Sequence, residues 1–458
     1  MTSERTQCPY VALSDPGSYA AGHPVSRYAE VRRACPVSWQ EDAGGYFAVT
    51  GMPELLEVSR QPAAFCSGAG NKLKDDSYAR LGEDIDIAMR GVILATDPPL
   101  HTTLRAALAP FFAPQSIREL EPKVRQRARE SLDAAPRGTP FDLVRTVTAP
   151  FPIRVLCDLM EVPESDRERI YDWTQRLTGA DDPDFNVTPA QAAQAFREVF
   201  DYGRAILAAR RAAPGRDIIS AFAALQVDGK PLEQRYTDAF FALLVAAGNE
   251  TTRNAITGVL HELGRNPEQR TALLQDPTLI RNAVEEGLRF ASPVIHMRRT
   301  AVGEQAVGNV HVHAGQRLGL FYGAANRDER VFSDPDRFDV RRKNARTHVA
   351  FGYGVPVAPP IIGEIRPGMP AWIAGLESGD RVDRINGREI DSFLDISLNT
   401  ALSDDTVRLE GIRRDGKTPF DLIVVPFTSK TRPDITRPQI GLGQSLGMNL
   451  ADDPKGEI

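Results

Sequence analysis

Directly after Gly354 the composition of the chain changes, and this break constrains the fold more than any other feature of its 458 residues. Pro356, Pro359 and Pro360 follow within six positions. Each proline fixes its own φ and removes a backbone donor, so neither a helix nor a sheet interior can run through this stretch. Upstream the apolar residues repeat at helical spacing over long blocks, whereas downstream short alternating runs are separated by tight turns. The pattern predicts one large domain over 1–355, a Pro-rich junction at 356–360 and a second, smaller domain over 361–458. No internal repeat crosses the junction.

Upstream, the opening is mixed: a short helix over Tyr28 to Ala34, strands around Val37 to Trp39 and Tyr46 to Val49, then a helix from Pro53 to Ser59. From Pro114 to Leu273 amphipathic helical blocks are interrupted at Pro136 to Pro140, Asp181 to Pro183 and Val227 to Lys230. Alternation returns from Thr300 to Leu320 with Gly308, Gly315 and Gly319, which predicts a small sheet beside the helices. The expected fold class is mainly α with small β-sheets, followed by a small α+β domain.

Charge narrows the partners. With 55 Lys and Arg against 61 Asp and Glu, the net charge of −6 offers no basic field for nucleic acid or an anionic membrane. A small molecule or a protein is the expected partner. The longest strongly apolar run, Ala239 to Gly248, is far short of the ~20 residues a membrane helix requires, and the opening Met-Thr-Ser-Glu-Arg-Thr has no apolar signal core, so a cytoplasmic location is expected. In that setting Cys8, Cys35, Cys66 and Cys157, which show neither zinc-ligand nor redox-pair spacing, read as separate reduced thiols. No cysteine follows Cys157.

Three motifs in the first piece carry possible chemistry. In Asp97-Pro98-Pro99-Leu100-His101-Thr102-Thr103-Leu104-Arg105, His101 and Arg105 stand four apart on one helix face and could grip a carboxylate; a capped surface helix with a solvated cation is the alternative. The run Val245 to Thr252 interrupts an apolar helix with small and polar residues. There Gly248 would let a ligand or water approach, and Glu250 and Thr251 could relay protons; a solvated turn with a back-bonded threonine is the rival reading. Glu286 and Arg289, three apart on a helix, can pair.

Downstream come Arg298-Arg299-Thr300-Ala301, Ala325-Asn326-Arg327-Asp328, the run Phe332 to Phe338, and His348-Val349-Ala350-Phe351-Gly352-Tyr353-Gly354. Taken together and in this order, these segments resemble the cytochrome P-450 family over 1–355. The resemblance implies a haem cofactor whose propionates meet His101, Arg105 and Arg299, with Glu250 and Thr251 handling the protons of oxygen activation. It also implies that Glu286 and Arg289 form a buried structural pair tied to the Asp334 to Phe338 segment, and that a redox partner is needed when haem is bound. The wording of Ala247 to Ile256, His296 to Ala301 and Tyr322 to Phe338 is most similar to bacterial members that oxidise sterols and long-chain lipids.

The family signature F-G-x-G-x-H-x-C-x-G then breaks. Phe351, Gly352 and Gly354 match, but Pro356 stands in place of the histidine, Ala358 in place of the cysteine and Pro360 in place of the last glycine. The sulfur matters because a thiolate pushes electron density onto the iron and favours O–O cleavage. Alanine has no ligand atom. The family's following helix and terminal strands are absent as well.

In the second piece Pro359 to Ile365 reads as a short strand, Pro370 to Ala374 as a helical turn stopped by Gly375, and Asn386-Gly387 as a two-residue hairpin between Arg381 to Ile385 and Arg388 to Ile390. Ser392 to Ser403 follows as an amphipathic helix, then strands Thr406 to Arg413 and Pro419 to Pro426. This piece resembles PDZ domains, most closely those of bacterial site-two proteases. The resemblance implies a partner peptide or protein C-terminus added beside a sheet edge, with Gln439, Ile440, Gly441 and Leu442 capturing the carboxylate and Phe393, Ile396 and Thr400 on the neighbouring helix. A plain closing strand is the alternative for Ile440 to Leu442. No H-E-x-x-H zinc motif is present. Three readings stay open: a peptide-binding module on an inactive scaffold, a haem monooxygenase of a sterol or long-chain lipid with a ligand other than cysteine, and an artificial or accidental fusion without function of its own.

Overall fold

The computed structural model describes residues 8–74, 78–112, 114–179, 186–227 and 229–353, and beyond them 362–365, 370–377, 380–389, 406–415, 417–425 and 442–444. The chain divides into two compact units, Met1–Tyr353 and Gly354–Ile458.

In the first unit a five-stranded sheet holds Val37–Gln40, Tyr46–Val49, Arg317–Phe321, His296–Ala301 and Phe65–Cys66 in that spatial order. Only Tyr46–Val49 and Arg317–Phe321 run parallel. Tyr46 to Val49 is buried on both faces, as the unbroken run of apolar side chains requires. The expected alternation between Thr300 and Leu320 resolves into two sheet strands flanking a separate hairpin, Gln305–Val307 with Val310–Val312, turned at Gly308 with φ +54°.

The helical part is organised around Gln234–Arg265, 32 residues and hence about 48 Å long. Its first half is buried by Leu156, Phe196, Phe200 and Trp173 from neighbouring helices, with Phe240, Phe241 and Val245 at the centre. Pro189–Ala212 begins in a capping box between Thr188 and Gln191. Helix Val25–Ala34 starts three residues earlier than the apolar spacing suggested, and Met52–Ser59 one residue earlier. Among the described residues no helix is long and apolar enough to cross a membrane.

One expectation is overturned. Cys8 and Cys35 are joined in a disulfide with their Cα atoms 5.7 Å apart, rather than standing as separate thiols. Val11 and Leu13 pack with Tyr28 and Val31 of the helix that Cys35 terminates, and this apolar contact lays the N-terminal segment alongside the helix end. A separation of 27 residues hides that proximity from any spacing rule. Cys66 and Cys157 are free.

The second unit contains a four-stranded antiparallel sheet ordered Arg388–Glu389, Arg381–Ile385, Val407–Ile412, Pro419–Val424. Asn386 and Gly387 turn the predicted hairpin with φ +50° and +77°, the left-handed pair that such a two-residue turn demands. Ala371, Leu376, Val382, Ile385, Val407, Leu409, Phe420 and Val424 make its core. Ile362–Ile365 pairs with Leu442–Gln444, so Leu442 lies in a closing strand opposite Ile365. The junction with Pro356 and Ala358, the helix expected over Ser392 to Ser403 with Phe393, Ile396 and Thr400, and the loop residues Gln439, Ile440 and Gly441 lie outside the described residues.

Candidate functional site

Three basic side chains converge in the first unit. His101 and Arg105 project from helix Leu100–Leu108, and Arg299 from the sheet strand His296–Ala301. They are close enough that, after burial, the Arg105 and Arg299 charges further lower the His101 pKa. Burial lowers Arg105 as well. His101 Nδ1 lies 3.1 Å from the Ile93 carbonyl, and Arg299 donates to the Arg298 carbonyl at 3.0 Å. Among the described residues no carboxylate pairs with any of the three. Arg105 is exposed and Arg299 half-buried, and neither guanidinium has a carboxylate counter-charge among the described residues, so an anionic group placed beside them would be stabilised. Strand alternation turns the adjacent Arg298 to the other face, where its guanidinium donates to the Ala69 and Lys72 carbonyls and to Thr300.

On the long helix, Thr251 Oγ1 donates to the Ala247 carbonyl at 2.7 Å, the back-bonded geometry. Glu250 is reached by Arg253 at 3.4 Å. The room expected at Gly248 is already taken: a Cβ there would meet the δ-methyls of Leu156 at 3.3 and 3.4 Å, so the glycine serves helix packing instead of ligand approach. Beside it Asn249 is fully buried with neither amide atom hydrogen bonded.

A cavity of ≈ 230 Å³ opens beside this turn of helix, with Ala242, Leu243, Ala246 and Glu250 on one wall and Leu81, Met89, Leu177 and Phe196 around it. Asn71, Lys72, Tyr78 and Arg80 contribute its polar portion.

Glu286 and Arg289 are fully buried and bidentate, at 2.7 and 2.8 Å. Arg289 also donates to the carbonyls of Asn326 and Pro335 at 2.7 and 2.8 Å. A third member escaped the sequence reading. Arg342 donates to Glu286 Oε1 at 3.0 Å and to the carbonyls of Ser333, Asp334 and Arg337 at 2.6, 3.0 and 2.9 Å. One carboxylate thus anchors two guanidiniums, which between them satisfy the carbonyls of Ser333, Asp334, Pro335 and Arg337. Asn326 extends the brace by accepting from the Val349 amide at 2.7 Å. Beyond it Gly352 adopts φ +76° and Phe351 is 81% exposed.

The cytochrome P-450 family profile matches residues 169–355, and a PDZ domain profile matches 361–398. Linalool 8-monooxygenase of Pseudomonas putida is 35% identical over 347 residues, which cover 75% of this chain and 85% of that protein. A methyl-branched lipid omega-hydroxylase of Mycobacterium tuberculosis is 35% identical over 71% of this chain and 78% of its own length. Steroid C26-monooxygenase of Rhodococcus jostii is 32% identical over 74% of this chain and 72% of its own. Among solved structures, a Mycobacterium marinum cytochrome P-450 in complex with pseudoionone superimposes with a TM-score of 0.69 at 34% identity, covering 76% of this chain and 87% of that one.

Proposed function

Because this chain belongs to the cytochrome P-450 family and carries a PDZ domain match at its C-terminal end, we propose that it is a P-450 scaffold without haem-thiolate monooxygenase activity, joined to a module that binds peptide C-termini. The cysteine inventory carries this reading. The family's haem supplies oxygen activation through an iron whose axial sulfur donates electron density. At one end of the site the residues suit that group: Arg105 and Arg299, beside His101, offer uncompensated positive charge to its two carboxylates. At the other end they do not. Cys8 and Cys35 bond to each other, Cys66 lies in a strand paired with Thr300, and Cys157 is buried in a helix with its thiol pushed up to about 11 by burial. None follows Phe351, and Ala358 stands at the ligand position of the motif. Glu250 and Thr251 occupy the proton-delivery positions, yet without the sulfur they have no oxygen-cleaving step to serve.

The deciding experiment is the absorption spectrum of the purified, reduced protein under carbon monoxide. The expected result is no Soret band at the position typical of a thiolate-ligated carbonyl complex; its appearance would overturn the reading. A Soret band at another position would support the second reading, haem held through its carboxylates with a ligand other than sulfur, which the intact cation cluster favours. For the C-terminal module, the reading implies that amidating a bound peptide's C-terminus weakens its binding. The names of the relatives point to apolar substrates, an acyclic alcohol, a steroid and a branched lipid, and the cavity beside Glu250 suits that class.

A further inference from the structure

We propose that the Cys8–Cys35 bond is a redox latch: cut by a dithiol reductant, it frees residues 8–15 as an arm that lifts off the sheet and uncovers Gln40 and Tyr46, while the rest of the first unit stays folded. The device needs neither haem nor a peptide ligand.

Little besides the disulfide holds this arm. Residues 8–15 form neither helix nor strand. The Val11 amide donates to Gln40 Oε1 at 3.0 Å, and the Ser14 hydroxyl donates to Asp42. Val11 and Leu13 are buried in one cluster with Tyr28, Val31, Tyr46 and Phe321. Other hydrogen bonds of the arm stay local, with Ser18 and Tyr19 donating to the Ala12 and Leu13 carbonyls at 2.9 Å. Two apolar side chains and two hydrogen bonds are therefore set against the ordering of eight residues, and only the closed loop keeps the open state from gaining that entropy. Downstream the chain is pinned independently. His23 Nε2 lies 2.9 Å from the Ala291 carbonyl and its Nδ1 3.1 Å from the Tyr28 hydroxyl, and a Cβ at Gly323 would stand 2.5 Å from its Cε1, so the ring is enclosed. Opening stops short of His23, and the short helix Pro16–Tyr19 is the hinge.

The surface beneath favours opening once the latch is cut. Gln40 and Tyr46 are opposite each other on paired strands, hence on one face, and the bond from Val11 lays the arm over them. Both are fully buried, yet the Tyr46 hydroxyl has no hydrogen bond among the described residues, and neither does Asp42 Oδ1. Each gains water when the arm lifts, hydration that the closed state forgoes. Cys8 and Cys35 are half-buried, within reach of a small dithiol. Its thiolate attacks one sulfur, the Cys8–Cys35 bond breaks as a mixed disulfide forms, and its second thiol displaces that bond in turn. The protein disulfide takes up two electrons and two protons to become two thiols, and the dithiol is oxidised to its own disulfide. The reverse exchange closes the latch.

Hydrogen exchange read by mass spectrometry on the full-length protein, first oxidised and then reduced with dithiothreitol, separates local from global opening. Peptides within residues 9–19 are expected to exchange at least about tenfold faster after reduction, while those from Gln234–Arg265 keep their protection. The double variant Cys8→Ser, Cys35→Ser, kept without reductant, should match the reduced protein, and hydroxyl-radical labelling of Tyr46 should rise in it above the oxidised protein. Should that variant not fold, reduction of the unmodified protein decides alone. Unchanged exchange over residues 9–19 on reduction overturns the proposal. So does an equal acceleration in Gln234–Arg265, which means that the whole unit opens, and so do Cys8 and Cys35 that stay free thiols under oxidised dithiothreitol.

Discussion

At the residue scale, the Glu286 carboxylate is the most consequential charge in the first unit. It is fully buried, and two guanidiniums and the Asp339 amide converge on it. Replacing Glu286 by Ala leaves Arg289 and Arg342 with carbonyl partners but without their shared counter-charge, and breaking a buried pair in this way costs about 3–5 kcal/mol. Glu121, exposed and paired with the equally exposed Arg125 one turn along its own helix, should cost about 1 kcal/mol or less when changed to Gln. Denaturant unfolding of the two variants measures the contrast, and equal losses would mean that the buried network does not brace the unit. The Glu286–Arg289 pair was legible because both members lie three apart on one helix. Arg342 was not, since it reaches the carboxylate from 56 positions downstream, out of a segment with neither helical nor strand period. The same limit applies at Gly248. A glycine in a thinning helix signals a close approach, but the sequence cannot say whether the approaching group is a ligand or, as here, Leu156.

At the scale of elements, periodicity served the long pieces and failed the short ones. The ends of the helices at Ala34 and Ser59 follow from apolar spacing, whereas their starts depend on how the preceding loop packs. The disulfide shows the same limit more sharply. Cys8 and Cys35 meet because Val11 and Leu13 share a cluster with Tyr28 and Val31, a tertiary fact with no local signature. Closing 27 residues removes unfolded-state entropy worth about 3.5 kcal/mol. Protein purified without reductant and then denatured should titrate two thiols, Cys66 and Cys157, instead of four. Reductant should lower the melting temperature of the unmodified protein but not that of Cys35→Ser. Four free thiols, or a reductant-insensitive transition, would return the pair to the separate-thiol expectation.

At the scale of the whole molecule, a change of composition that takes six residues separates the two compact units. The strongest consequence concerns the smaller one. Its core is supplied by its own helical turn and sheet, from Ala371 and Leu376 through Val382 and Ile385 to Phe420 and Val424. Asp380 is buried there and satisfied locally, accepting from the amides of Glu377 and Arg414 at 3.0 Å and from Arg413 at 2.8 Å. A buried carboxylate whose donors all come from the same unit ties that unit's folding to itself. Residues 357–458, about a hundred in number, fall within the size at which a domain can fold alone. Expressed alone, this fragment should therefore unfold in one cooperative thermal transition, and Asp380→Ala should lower its midpoint, because Arg413 and two amides lose their acceptor together. A fragment that shows no cooperative transition, while the full chain still protects the amides of Val382 and Leu409 from hydrogen exchange, would mean that the larger unit supplies part of the smaller one's stability.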